Sequence, residues 1–187
     1  MKIKEEGRDI FSFQLFSPAE CADILAKLGR TRRRWQDAVL AWPYASVRAV
    51  NHDDAWVWKL PLRSMSAALK PYVSAVKAAA KPAAMLAWEY RIFRFATRQA
   101  MLLRYEHGGH IMMHIDRAGP KVSGRIISLI CYLNADYEGS RTYFPRQGAR
   151  ILSAPGKAVI FPSGLAHPHA AEKVASGTKF VIVDWLS

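Results

Sequence analysis

His114 and Asp116 close the stretch MLLRYEHGGHIMMHID, residues 101–116, and their types and spacing are suited to gripping a metal ion. Side chains two apart on a strand share a face, so an imidazole and a carboxylate at this spacing converge on one point. A third ligand has to come from elsewhere, and residues 161–180, FPSGLAHPHAAEKVASGTKF, offer His167 and His169. Two histidines and one carboxylate on a β scaffold, with no thiolate nearby, describe a facial set that leaves coordination positions open, the pattern of non-haem Fe(II). Zinc and manganese accept the same ligand types, so ligand identity alone does not choose the metal.

The elements that must position these residues read as short strands from residue 100 onward. MLLRY (101–105) is a strand, His107-Gly-Gly109 a turn, and IMMHID (111–116) the strand that carries the ligands. If that strand is regular, His110 shares the face of His114 and is a candidate substrate contact. Residues 117–124 form a loop, the apolar RIISLICYLN (125–134) a strand, and residues 136–139 a turn. TYFP, residues 150–152, KAVIF and KFVIVDWL follow, each bounded by Gly, Pro or Ser. Short strands at regular spacing predict a sandwich or barrel.

The first hundred residues are more mixed. Residues 10–16 alternate as a strand, and Ser17-Pro-Ala-Glu20 is a capping box that predicts a helix over 18–28, stopped by Gly29. Residues 30–60 read as strands joined by loops, broken at Pro43 and at Asn51-His-Asp-Asp54, where His52 sits among turn residues. Leu62, Met65, Ala68, Leu69, Tyr72, Val73 and Val76 recur at helical spacing, with Pro71 inside the pattern predicting two shorter helices or a kink. Residues 87–95, AWEYRIFRF, fit a helix or a strand equally. No repeat or linker interrupts the chain. One domain over residues 1–187 is expected, with residues 1–99 as supporting strands and helices and 100–187 as the metal-binding β core.

The bulk properties narrow the class. A chain of 187 residues with 51% apolar content can bury a real core, and it has no run of about 18 uncharged apolar residues. A membrane span is therefore not expected, and MKIKEEGRDI lacks the apolar centre of a signal peptide. Cys21 and Cys131 have neither the count nor the spacing of a disulfide frame and read as buried hydrophobes, so a cytoplasmic location is expected. The net charge of +12 favours polyanions, acidic proteins or acidic small molecules as partners. Its densest run, Arg30-x-Arg32-Arg33-Arg34, reads as a solvated loop or as a docking patch for an acidic partner. Trp35 and Trp42 nearby leave a nucleic-acid surface open.

As a set, Tyr105-x-x-Gly108, His114-x-Asp116, Cys131-Tyr-Leu-Asn134, Phe161-Pro-Ser163 and His169 through Gly177 to Lys179 resemble the Fe(II)- and 2-oxoglutarate-dependent dioxygenases, in their prolyl-4-hydroxylase-like branch. The similarity covers residues 100–187 well and the first hundred loosely, through FSPAEC. The family pattern His-x-x-x-x-Val-x-x-Gly-x-Lys/Arg falls on His169, Val174, Gly177 and Lys179, so the resemblance selects His169 as distal ligand and makes His167 its neighbour. It implies an α+β, mainly β fold with a double-stranded β-helix (jelly roll or cupin-like) core and N-terminal helices packed on one sheet. It also implies Fe(II) held by His114, Asp116 and His169, with 2-oxoglutarate and O2 as co-substrates.

A fixed cation deep in a β cavity can pair with the remote carboxylate of a dicarboxylic acid whose other end chelates metal, and Lys179 suits that role. The resemblance names that acid as 2-oxoglutarate and adds Tyr132 and Tyr105 as its neighbours. Arg125 and Arg141 are candidates to bind an acidic group of the substrate. The reaction implied is hydroxylation of an unactivated C–H bond of an amino acid or other small molecule, with release of succinate and CO2. Action on a protein or nucleic acid, and a non-catalytic β-barrel binding module, are the alternative readings. Ile111 in place of an aromatic, Gly139-Ser-Arg-Thr142 in place of Gly-Gly-Glu-Leu, and Lys173 in place of a proline depart from the pattern, so peptidyl proline is not inherited as substrate.

Overall fold

The computed structural model describes residues 2–29, 36–37, 39–41, 46–48, 57–61, 67, 69–88, 100–118 and 124–186. The Arg30–Arg34 run and His52 lie outside them. In the N-terminal half the elements are β1 (Lys4–Gly7), β2 (Ile10–Gln14), α1 (Pro18–Gly29), β3 (Gln36–Asp37), β4 (Val39–Ala41), β5 (Ser46–Arg48), β6 (Val57–Pro61) and α2 (Lys70–Trp88). The C-terminal half adds β7 (Met101–Tyr105), β8 (Ile111–His114), β9 (Ile127–Tyr132), β10 (Glu138–Gly139), β11 (Thr142–Phe144), β12 (Ala149–Ile151), β13 (Lys157–Pro162), β14 (His169–Ala171), β15 (Val174–Ser176) and β16 (Lys179–Leu186).

Eight strands form one large sheet in the order β1-β2-β13-β9-β16-β7-β6-β3, and four form a smaller one, β12-β11-β14-β8. Alternation along the large sheet separates two cores. Leu129 and Cys131 of β9, Ile160 of β13 and Ile182 of β16 point to one side, where Ile24 and Leu28 of α1 and Val76 and Ala83 of α2 cover them. Tyr132, Val159, Phe161, Val181 and Val183 point to the other and meet Ile111, Phe144, Ile151 and Ala171 from the small sheet. Each fully buried aliphatic chain on these faces contributes roughly 1.5–3 kcal/mol. Two facing sheets with the helices on the outer side of the larger one are the expected double-stranded β-helix.

The capping box forms as the sequence dictates: the Ser17 hydroxyl accepts from the Glu20 amide at 3.2 Å while the Glu20 carboxylate accepts from the Ser17 amide at 2.8 Å. Other expectations are corrected. The first strand ends at Gln14 and is the second arm of a hairpin with β1, which charged KEEG concealed. Pro71 neither kinks nor divides a helix, because α2 begins at Lys70 and places Pro71 in the first turn, where a missing amide has no intrahelical partner to lose. The proline inside α2 is Pro82, and the helix takes in Ala87 and Trp88; residues 62–66 and 89–95 lie outside the described residues. Cys21 and Cys131 are free and buried, and burial pushes the Cys21 thiol up to about 11.

Gly156 ties the two halves together. Its carbonyl accepts from Leu15 at 2.8 Å and its amide donates to the Tyr132 carbonyl at 2.8 Å, at φ +79°, with no room for a Cβ against the Phe16 carbonyl. Gly156→Ala should therefore lower stability by at least about 2 kcal/mol, from backbone strain and collision together, read as a drop in urea midpoint at unchanged slope.

Candidate metal centre

His114 and His169 face each other because β8 and β14 are neighbours in the small sheet and pair these two residues in register. Between that pair and the next, Ala171 opposite Ile111, β14 advances two residues and β8 three. This bulge turns both Ile111 and His114 inward and leaves Met112 and Met113 exposed, at 50% and 41%. The imidazole centroids lie 4.3 Å apart. Each ring is oriented alike: His114 Nδ1 donates to the Met112 carbonyl at 2.8 Å and His169 Nδ1 to the His167 carbonyl at 3.2 Å. Both Nε2 lone pairs are thereby left for a common partner. Phe144 and Phe161 pack on the His169 ring, with centroids at 5.5 Å and 4.7 Å.

Asp116 completes the cluster from outside the strand. β8 ends at His114 and Asp116 sits in the following bend, so the two do not share a face by strand alternation as expected. The chain turns instead, bringing Oδ1 to 3.6 Å from His114 Nε2 and Oδ2 to 3.7 Å from His169 Nε2. One ligand atom from each of the three residues lies within 4.8 Å of the others. Burial opposes ionisation of this carboxyl, but the two imidazoles and the Ser128 hydroxyl outweigh it and hold it well below the usual carboxylate range. Burial, reinforced by His114, lowers His169 to about 4. At neutral pH the cluster is one anion with a neutral imidazole at His169, a donor set that fits Fe(II).

A second charge lies in the same interior. Lys179 occupies the inward face of β16, in step with Val181 and Val183, and pairs in register with Tyr105 of β7. It is 2% exposed, and its ammonium donates to the Ser140 carbonyl at 2.6 Å and the Ser140 hydroxyl at 3.1 Å. The rings of Tyr105, Tyr132 and Tyr137 surround it at 5.1, 5.5 and 5.8 Å. Among the described residues no carboxylate is bonded to it, and burial lowers its pKa to about 7 despite the distant pull of Glu172. Burial raises the phenols of Tyr105 and Tyr132 above their ordinary value, so both stay neutral donors; the Tyr132 hydroxyl lies 2.7 Å from Thr142 Oγ1.

The remaining candidates are placed differently. His167 is buried, yet its Nε2 donates to the Arg8 carbonyl at 3.2 Å, away from the cluster. His110 precedes β8, its Nδ1 donates to the Gly108 carbonyl at 2.9 Å, and the bulge breaks the even spacing that would align it with His114. Arg125 stacks on Trp185 at 3.5 Å and donates to the Asp116 carbonyl at 3.2 Å, which puts a cation beside the cluster. Arg141 is exposed, next to Ser140 and Thr142 rather than beside the imidazoles. Sequence reasoning missed Ser128, Ser163, Ser140 and Thr142. Ser128 and Tyr132 are four apart on one strand and so share a face, a signal available in the sequence; the others depend on contacts between distant segments.

A family model described as the 2OG-Fe(II) oxygenase superfamily matches residues 100–187, which contain every residue of the cluster and Lys179. Over that segment, a little under half of its length, the chain is similar to the 2OG-Fe(II) oxygenase superfamily. It is 34% identical over 73 residues to human prolyl 3-hydroxylase 1, covering 36% of this chain, and 36% identical over 73 residues to the chicken protein. The chain spans about a tenth of the length of these relatives, the aligned share being 10%. Its fold is similar to that of the viral collagen prolyl hydroxylase of Paramecium bursaria Chlorella virus-1 in a 2OG complex, with a TM-score of 0.67, 16% identity and 96% of each chain covered. It is similar too to a Trichoplax adhaerens prolyl hydroxylase in complex with a peptide fragment of the hypoxia inducible factor oxygen degradation domain, at TM-score 0.70, 18% identity and 95% and 83% coverage. No helix of the described residues is long and apolar enough to cross a membrane.

The buried ammonium has a measurable cost. Its pKa falls from 10.5 unfolded to about 7 folded, so the unfolded chain binds the extra proton first and stability is lost as pH drops from 10.5 to 7, then levels. Lys179→Met should stabilise the ligand-free protein by on the order of a few kcal/mol at pH 7, with the gap closing toward pH 10.5. Thermal melts of both proteins across that range check the sign.

Proposed function

We propose that this chain is an Fe(II)- and 2-oxoglutarate-dependent hydroxylase, with His114, Asp116 and His169 as the metal ligands and Lys179 as the anchor of the 2-oxoglutarate tail. The observation that carries the reading is a buried ammonium without a bonded carboxylate among the described residues, in the same interior as a His-Asp-His cluster. An isolated buried cation is costly, and a dicarboxylate reaching from metal to Lys179 would relieve it. When bound, iron and 2-oxoglutarate supply oxidative decarboxylation to succinate and CO2 coupled to hydroxylation by O2. The protein's part is to orient both imidazoles through their Nδ1 protons, keep the carboxylate ionised and hold water away behind Phe144 and Phe161. Tyr132 and Tyr105, as neutral phenols beside Lys179, are donors for the same carboxylate.

For the primary substrate, an amino acid or other small molecule with an acidic group is favoured by Arg125, whose guanidinium sits over the Trp185 ring beside Asp116 and remains cationic at neutral pH. A peptide is the second reading, favoured by the prolyl hydroxylases among the structural neighbours, one of them in complex with a peptide. The proposal treats residues 1–187 as one oxygenase domain, since β2 of the N-terminal hairpin pairs with β13 of the core. It also places the protein in the cytoplasm, in keeping with two free, buried thiols.

Anaerobic addition of Fe(II) and 2-oxoglutarate should produce a visible metal-to-ligand charge-transfer band in the parent protein and none in His114→Ala or Asp116→Ala; a band that survives both substitutions would sink the assignment. Succinate release should then be screened with amino acids and with proline-containing peptides. Calorimetry in buffers of different ionisation enthalpy supplies a second check. Because Lys179 starts from about 7, docking of a carboxylate should take up about one proton at pH 8 and almost none at pH 6. Lys179→Met should remove that uptake.

A further inference from the structure

Asp116 lies beyond the end of β8, so the small sheet does not hold it. Its tethers come from the large sheet and the segments leading into it. The Arg125 guanidinium donates to its carbonyl at 3.2 Å, and the next amide, Arg117, donates to the Ser163 carbonyl at 2.9 Å. The side chain has its own tether: Ser128 Oγ donates to Asp116 Oδ2 at 2.5 Å. Ser128 Oγ is in turn 2.8 Å from Ser163 Oγ, and both serines are 1% exposed.

The direction of this chain follows from proton count. An ionised carboxylate only accepts, so the single Ser128 proton is committed to Asp116 and Ser163 must be the donor to Ser128. A hydroxyl polarised in this way is a stronger donor than an isolated one. Ser128 also rests on a rigid element, since β9 is paired on both sides, by β13 and β16. Among the described residues no hydroxyl bonds Oδ1, which faces His114 Nε2 at 3.6 Å.

We propose that Ser128, backed by Ser163, is the positioning residue of the metal centre: its hydroxyl holds Oδ2 and fixes the rotation of the Asp116 carboxylate, so that Oδ1 would be the oxygen best placed to ligate the metal. This inference rests on the metal-ligand reading above and adds to it a residue outside the ligand set. Outer hydrogen bonds to ligating groups commonly govern metal affinity by ten- to a hundredfold. A purely structural hydroxyl pair would have no such effect, since Asp116 would find the metal regardless.

Co(II), a spectroscopically visible stand-in for Fe(II) without its oxygen chemistry, is the probe. The apo protein is titrated with it, reading both affinity and the visible d–d bands, for the parent, His114→Ala, Ser128→Ala, Ser128→Thr and Ser163→Ala. Expected are a ten- to hundredfold weaker Co(II) affinity and altered bands in Ser128→Ala, restoration of both in Ser128→Thr, which keeps the hydroxyl, and a smaller loss in Ser163→Ala. Should Ser128→Ala not fold, Ser128→Cys is read in its place, because a thiol of similar shape is a poorer donor and should weaken binding in the same direction. Parent-like affinity and bands in the folded Ser128 variant overturn this inference while leaving the metal site standing, provided His114→Ala abolishes binding. A parent whose Co(II) binding is indifferent to His114→Ala overturns both.

Discussion

The register of β8 against β14 is the constraint from which the rest follows. Pairing His114 with His169 across two adjacent strands puts two imidazoles side by side on a rigid support, and the bulge beside the pair lets Ile111 and His114 both point inward. A one-residue slip would send His114 to solvent and bring an exposed methionine inside. The bulge also ends the strand early, so the third member of the cluster arrives on a bend and needs tethers from the large sheet. Both sheets must therefore be in place before the three donors converge, which makes the site a property of the whole sandwich rather than of either half.

Inside that sandwich the protein maintains two opposite charges with different means. The anion, Asp116, is compensated on the spot by imidazoles and a serine hydroxyl. Among the described residues the cation, Lys179, has the Ser140 oxygens and the faces of three tyrosines, which solvate it without neutralising it. Ser140 even adopts φ +47°, in the left-handed region, at a place where the family pattern has glycine. The asymmetry is physically instructive. A carboxylate docked beside Lys179 would supply the opposite charge that hydroxyls and ring faces do not.

Much of this was legible in order along the chain. The capping box at Ser17, the strand at Met101–Tyr105 and the long C-terminal strand obey local rules, and each forms where those rules put it. His169 was singled out by the family pattern that runs through Gly177 to Lys179, and Gly177 does make a turn, at φ +77°. What misled was local regularity carried too far. Pro71 looked like a break because its place in the helix depended on where the helix began. His110 looked aligned with His114 because a bulge is invisible to even spacing, and β14 and β15 are too short and too polar to announce themselves.

Residue type and spacing alone thus determined which donors were on offer, His114 and Asp116, a distal His167 or His169, and the Lys179 ammonium, since side-chain donors are fixed by covalent structure; preferring His169 took the family resemblance. Tertiary structure decided the orientation of those groups and their company. The bend at Asp116, the serine pair behind it, the tyrosines around Lys179 and the diversion of His167 to the Arg8 carbonyl all join residues far apart in sequence. Such contacts depend on how two twisted sheets face each other, and no local periodicity encodes that distance.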